Sequence, residues 1–299
     1  MPFSFRQVTI SGATEGNEGT IMFVRELKNF MEEAGWTTTE DRTTEPGHVD
    51  GNTNIVMQSN GESGDYPTFY MVAVSGGSAT AGQDYTYFRM TTAWDTAAHT
   101  MPASGVATNS FTTTMARLNT LSQEDYEVWM SGDAEALAIV TRQSPSTYDS
   151  VCIGRANSFM TTADNPFPLY LLSGSTSAVL IEDTTGASTR LIGGNPPFAF
   201  DSGNNTKTYQ YTGISNNNQP YKVGAADSIF LALPAFLVYT EDIPSKQGIL
   251  GTIRNAWRGA GTASDMYMEG ILTASGTSGV QTYQAFTVST TTSLIIRRS

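Results

Sequence analysis

Between residues 20 and 34 apolar positions recur at helical spacing. Phe23, Val24, Leu27, Phe30, Met31 and Ala34 share one face, and Arg25, Glu26, Lys28, Asn29, Glu32 and Glu33 the other. That pattern predicts an amphipathic helix. Thr20 is expected to cap its start, Gly35 to end it with a left-handed residue, and Trp36 to fold back onto the last turn. Ahead of it, Phe3, Phe5 and Val8 suit a short strand, and the polar, acidic run from 37 to 54 suits a loop or an edge strand.

From residue 54 onward the period changes. Short β-branched and aromatic runs alternate with clusters of Gly, Asn, Asp and Pro, the pattern of an all-β region. Strands are expected at 54–58, 68–75, 85–92, 126–130, 136–142, 151–155, 169–172 and 178–182. Further ones are expected at 190–192, 209–212, 229–233, 251–257, 266–272, 283–288 and 294–297. Tyr126 to Arg142 reads as a hairpin, with Gly132 and Asp133 of SGDA in its turn. In 68–74, Phe69, Met71 and Ala73 fall on one side and Tyr70, Val72 and Val74 on the other, which predicts a strand buried on both faces. NPFP at 165–168 marks a boundary, because two prolines withhold backbone donors. Residues 201–220 read as a surface excursion. The expectation is an α+β chain, mainly antiparallel β and sandwich-like, with one N-terminal amphipathic helix. Residues 1–165 form a helix-plus-sheet region and 166–299 a second β-rich region.

Composition narrows the partners. Lys+Arg total 16 against Asp+Glu 28, a net charge of -12, so a free nucleic-acid backbone is repelled. Lys28, Lys207, Lys222 and Lys246 are the only lysines, too few and too scattered for a polybasic membrane patch. The apolar stretch from Ile229 to Tyr239 is about half a spanning helix and contains Pro234, so no membrane insertion is expected. The start MPFSFRQVTI has no basic, apolar leader pattern, which fits use in cytosol-like conditions. The one cysteine, Cys152, excludes an internal disulfide, and its setting SVCIG suits a buried core thiol.

Catalytic chemistry is sparse. His48 and His99 are the only histidines and neither lies in an HExxH spacing. Asp95, four residues before His99, is placed to orient its ring or share a metal, against the plainer reading of a solvated or structural pair. GxSxG and GxxxxGK[ST] are absent, and Gly259-Ala260-Gly261 lacks the third glycine of a dinucleotide loop, so it reads as a turn. The acidic clusters Glu40/Asp41, Glu124/Asp125/Glu127, Glu182/Asp183 and Glu241/Asp242 sit on neighbouring positions that face opposite ways along a strand. None forms by itself the facing pair that glycoside hydrolysis needs. Asp201, Asn204 and Asn205 offer oxygen ligands but lack the glutamate of an EF-hand. Trp36, Trp94, Trp129, Trp257, Tyr66, Phe69, Tyr70, Tyr85, Tyr87 and Phe88 are candidates for a ligand surface or, more simply, for core. No catalytic residue, cofactor or metal site is assigned, and an interaction protein rather than an enzyme is expected.

The order of segments carries a resemblance. A helix ending AGW is followed by GESGDYPTFYMVAVSGG, YTYFRMTTAWDTAA, the hairpin YEVWMSGDAEALAIVTRQSPSTYDSVCIGRANSF and DNPFPLYLLSGS. GILGTIRNAWRGAG and TYQAFTVSTTTSLIIRRS close the chain. This succession resembles a group of virion structural proteins of tailed bacteriophages, over most of the chain and more weakly between 173 and 225. The resemblance implies assembly at the neck or collar between head and tail, or in the tail, without catalysis. Where that group ends on an acidic residue, this chain ends Arg297-Arg298-Ser299. A homo-oligomer contacting other virion proteins follows, assembled in the host cytoplasm and closed by pairing of open strand edges. The expected contact segments are the 60–67 loop with Glu62, Asp65 and Tyr66, the 201–220 excursion with Asn204, Asn205 and Asn217, and the C-terminal strand with Arg297 and Arg298. Two rivals stay open: a baseplate or tail-tip adaptor holding fibres, and a carbohydrate-binding or depolymerising tail module.

Overall fold

The computed structural model describes residues 3–12, 18–43, 54–59, 68–76, 84–100, 116–121, 124–144, 147–159, 169–173, 178–181, 190–192, 210–211, 232–239, 248–259, 270–276, 279–289 and 292–299. Their architecture is three antiparallel sheets in layers, with one helix. The central sheet has seven strands. In spatial order they are β1 (Ser4–Ile10), β7 (Tyr126–Gly132), β8 (Ala136–Ser144), β9 (Thr147–Arg155), β11 (Leu169–Ser173), β12 (Ala178–Ile181) and β13 (Arg190–Ile192). A five-stranded sheet on one side runs β2 (Thr37–Asp41), β3 (Asn54–Ser59), β4 (Phe69–Gly76), β5 (Asp84–Thr91) and β6 (Ala116–Thr120). The C-terminal sheet on the other side runs β14 (Gln210–Tyr211), β15 (Ala232–Tyr239), β16 (Gly248–Gly259), β19 (Thr292–Arg297), β18 (Gly279–Ser289) and β17 (Gly270–Gly276). A two-residue strand, β10 (Asn157–Ser158), pairs with β16.

Strand periodicity explains the layering. Along β7, β8, β9 and β11 alternate residues turn to opposite faces. Val128, Met130, Leu137, Ile139, Val151, Ile153, Leu169 and Leu171 enter a core shared with the five-stranded sheet and the helix. Trp129, Ala136, Ala138, Val140, Cys152 and Tyr170 enter a second core against Ile253, Ala256, Phe286, Leu294 and Ile296 of the C-terminal sheet. Burial on both faces is why these strands read as continuous apolar runs. The sheet also carries the chain past 165: β11 pairs with β9 in register from Leu169↔Arg155 to Ser173↔Val151. Strands on both sides of the expected 165/166 boundary therefore belong to one sheet.

The helix α1 (Glu18–Glu33) buries Phe23, Val24, Leu27, Phe30 and Met31 completely, as its spacing requires. Its end is as expected. Gly35 has φ +100°, its N–H bonds Glu32 O at 3.1 Å, and the Trp36 N–H bonds Met31 O at 2.9 Å. The two bonds satisfy the last carbonyls and turn Trp36 into the core, edge-on to Phe69 at 5.4 Å. Its start differs from expectation. Thr20 lies inside the helix, fully buried, with Oγ1 3.1 Å from Thr120 Oγ1. Thr20 links the helix to β6 instead of capping it.

Other expectations shift. Of the strand expected at 229–233, positions 232 and 233 open β15, which runs on to Tyr239, and 229–231 lie outside the described residues; Pro234 is tolerated because the pairing with β16 shifts register between Pro234 and Phe236. Within 266–272, the described strand begins at Gly270. β6 was not anticipated: ARLNT carries one large apolar residue, Leu118. The two-sided burial expected of 69–74 holds fully for one face only. Phe69, Met71 and Ala73 are sealed, whereas on the other face Val72 is buried and Tyr70 and Val74 are half-buried. The C-terminal strand, expected among the most exposed segments, is paired on both sides by β16 and β18, and Leu294, Ile295 and Ile296 are fully buried. An apolar LII run is a core strand by the same burial argument as the rest of the sheet. Among the described residues no helix is long and apolar enough to cross a membrane.

Candidate functional site

The hairpin turn read from SGDA is the point where all three layers meet. Asp133 N–H bonds Ala136 O at 3.0 Å, and its Oδ1 accepts the N–H groups of Glu135 and Ala136 at 2.8 and 3.0 Å. This is an Asx turn, in which a short side chain replaces a backbone acceptor. The same residue reaches outward on both sides. Its carbonyl accepts Trp36 Nε1–H at 2.7 Å from the helix end, and its Oδ2 accepts Asn255 Nδ2–H at 2.8 Å from β16. Asn255 has φ +58°, and this bond helps offset the cost of a left-handed residue within a strand.

Beside the turn lies a buried ion pair. Arg155 Nε is 3.0 Å from Glu135 Oε2, with the two side chains 1% and 0% exposed. The Arg155 guanidinium lies 5.3 Å from the Phe69 ring centroid, and Ser59 Oγ–H bonds Ala134 O at 2.7 Å. Gly154 (φ +146°) lets the backbones approach, since a Cβ there would stand 2.4 Å from Glu135 O. Charge at this depth is tolerable only when paired. Sequence reasoning missed the pair: Glu135 and Arg155 stand 20 positions apart at the ends of apolar runs. The signal was a charge at an inward-facing position of a two-sided strand.

The sequence-derived chemical candidates are dispersed. Cys152 is buried, and desolvation pushes its thiol up to about 12, so it is no thiolate nucleophile at neutral pH. His99 faces Glu40 rather than Asp95: its Nδ1 is 3.0 Å from Glu40 Oε1, and Glu40 Oε2 accepts Trp94 Nε1–H at 2.9 Å. Asp95 Oδ1 instead accepts the N–H groups of Ala97 and Ala98, at 2.9 and 3.0 Å, within its own turn. Asp41 bonds Thr43 Oγ1 and N and lies 3.2 Å from Lys28 Nζ. Asp125 accepts the Gly12 N–H at 2.9 Å, and Glu127 pairs with Arg142. Trp36, Trp129, Phe69 and Phe88 are core. Tyr70, Tyr85 and Tyr87 are half-buried, with Arg117 stacked 4.3 Å over Tyr85. Among the described residues no group of three His, Cys, Asp or Glu is placed to hold a metal. Glu182/Asp183, Glu241/Asp242, Asp201 and the contact candidates Glu62, Asp65, Tyr66, Asn204, Asn205 and Asn217 lie outside the described residues.

No protein-family model and no curated protein matches this chain.

With both faces of the central sheet filled, the main-chain capacity left to it is at its edges. Some outer strands are guarded. The Asn119 N–H on β6 donates to Asp149 Oδ2 at 2.8 Å, and its carbonyl accepts the Thr141 hydroxyl at 3.0 Å. β2 has a register shift between Thr38 and Glu40 and carries two carboxylates. β13 and β14 are three and two residues long. β1 and β17 are different. Each has seven residues matched without a register shift to its inner neighbour, and GILTASG of β17 has no charge or proline. Such outer strands are templates for pairing with another chain. Of the expected contact residues, Arg297 and Arg298 are described and half-buried, next to β1: their guanidinium carbons lie 4.2 Å from the Phe3 and 4.8 Å from the Phe5 ring centroid. Arg298 also donates from Nη1 to Gln284 Oε1 at 3.2 Å.

Proposed function

We propose that this chain is a structural component of a tailed-bacteriophage virion, a neck or collar protein that self-associates and bridges neighbouring rings of the head-to-tail connection. The observation that carries the self-association is the pair of long strands, β1 and β17, that lie on two different sheets and among the described residues have no strand paired on their outer side. Outer strands on different sheets give one subunit two directions of growth, which closed symmetry limits to a particle of fixed size. The virion assignment rests on the ordered segments and their resemblance to structural proteins of tailed phages. Net charge of -12 keeps unassembled copies soluble. No catalytic role is included in the proposal.

Cryo-electron microscopy of intact phage particles whose genome encodes this chain tests the reading. The expected result is density for it in a ring at the head-to-tail junction. Density at the distal tip would replace the collar with an adaptor that holds fibres or a glycan-binding tail module. Particles lacking the chain would overturn the virion assignment.

A further inference from the structure

The surroundings of β1 are polarised along its length. At its start, Arg297 and Arg298 stack over Phe3 and Phe5. Past its end, Asp125 bonds the Gly12 N–H at 2.9 Å, with exposed Glu124 next to it. Both groups belong to the same face of the sheet. β7 pairs Ile10 with Tyr126 and Phe5 with Ser131, and extending its period of two by one residue beyond its start sets Asp125 on the face of Trp129, which is the face of Phe5. Glu127, also on this face, is engaged by Arg142. The one charge on β1 itself, Arg6, points to the other face, where it meets Glu26 and Glu33 of the helix. Gln7 and Thr9 are exposed. Among the described residues no strand pairs with the outer side of β1.

We propose that a second copy of this chain adds its β1 here, antiparallel about a two-fold axis near Gln7, with Arg297 and Arg298 of each copy facing the partner's Asp125. Charge complementarity selects this occupant and this direction. An antiparallel copy centred on Gln7 sets Phe5 against the partner's Thr9 and Phe3 against the partner's Ser11, so the basic start of one strand meets the acidic end of the other. It also sets Arg6 against the partner's Val8, not against a second guanidinium. A parallel copy would oppose like with like. The inference deepens the self-association part of the proposed function and rests on that part alone.

Sedimentation of the full-length chain across micromolar concentrations provides the test. The wild type is expected as a dimer or a multiple of two. Arg298→Glu and Asp125→Lys should each weaken the association about tenfold, and the double reversal should restore it, because complementary charges are regained in swapped positions. Asp125→Asn, which keeps an acceptor for the Gly12 N–H, separates loss of charge from loss of that bond and should weaken association less than Asp125→Lys. Far-UV circular dichroism checks that each variant is folded. An oligomer that tolerates the single reversals, or that the double reversal fails to restore, overturns the β1 contact while leaving self-association in place. A chain that stays monomeric overturns self-association and the β1 contact with it.

Discussion

The two faces of the central sheet are filled by different chemistry. Toward the helix, the sheet presents Leu137, Ile139, Val151, Ile153, Leu169 and Leu171 to a core that holds Leu27, Met31, Met57 and Met71 together with the aromatics Phe23, Phe30, Trp36, Phe69 and Phe88. Toward the C-terminal sheet, the small residues Ala136, Ala138 and Cys152 leave room for Trp129, Tyr170 and Phe286. Phe286 packs edge-on to Trp129 at 5.0 Å and tilted to Tyr148 at 5.8 Å. Aliphatics of medium size, the sheet's own contribution on the helix side, accept repacking so long as volume is kept, whereas aromatics set among alanines, its contribution on the other side, depend on shape. The helix side also holds the buried charge, since Glu135 and Arg155 share the parity of Leu137 and Ile153 along their strands. The sheet's own side chains thus specify one face by volume plus one ion pair, the other by shape.

The largest effect expected is from breaking that pair. Glu135→Gln leaves the Arg155 guanidinium buried without its carboxylate, and urea unfolding should show a loss of about 3–5 kcal/mol. Replacing both partners, as Glu135→Leu with Arg155→Met, should cost far less or stabilise, because neither member is then left as an unpaired buried charge. If Glu135→Gln cost less than about 1 kcal/mol, the pair would be behaving as a solvated one and the two faces would differ only in packing.

A smaller effect separates the packing of the faces by adjacent residues that point opposite ways. Ile139→Ala opens a cavity on the helix side and should cost about 2–5 kcal/mol. Ala138→Leu overfills the other side and should cost about 1–3 kcal/mol. In fluorine NMR of the chain labelled with fluorotryptophan, the second change, and not the first, should shift the Trp129 resonance. Equal spectral responses would mean that strain crosses the sheet and that the faces are not independent.

The same contrast governs what could be read from the sequence. The helix, the SGDA hairpin and most strands were legible, because period and turn chemistry are local. Their assignment to three sheets was not, since β1 joins β7 across more than a hundred residues on hydrogen bonds that leave no local trace. β6 was invisible for a related reason: with Leu118 as its one large apolar residue, its backbone is held by Asp149 and Thr141 from another sheet. Glu135, Arg155 and Asn255 escaped notice because the value of a polar group in a core lies in partners brought by folding. Arg297 and Arg298 were legible as charges but not as neighbours of Phe3 and Phe5.

The last contrast is in proton chemistry, and at neutral pH its expected effect is nil. Cys152 lies in the shape-specified core, where burial raises its thiol from the ordinary 9.0 to about 12. Below 9.0 folded and unfolded chains both hold the proton, so Cys152 adds no pH dependence there. As pH rises from 9.0 toward about 12 the unfolded chain releases it first, and stability should fall across that window. Tyr170 adds a slope of the same sign from its ordinary value of 10.0 upward, because burial raises its hydroxyl too, with Cys152 nearby. Cys152→Ala separates the two: the variant should keep the wild-type stability profile up to about pH 9 apart from a constant cavity offset, then decline less steeply. A thiol reagent should label wild-type Cys152 only at the rate of unfolding. Labelling of the folded chain at the rate of an exposed cysteine would mean that water reaches the second face, and that the small residues there leave gaps instead of seating the aromatic rings.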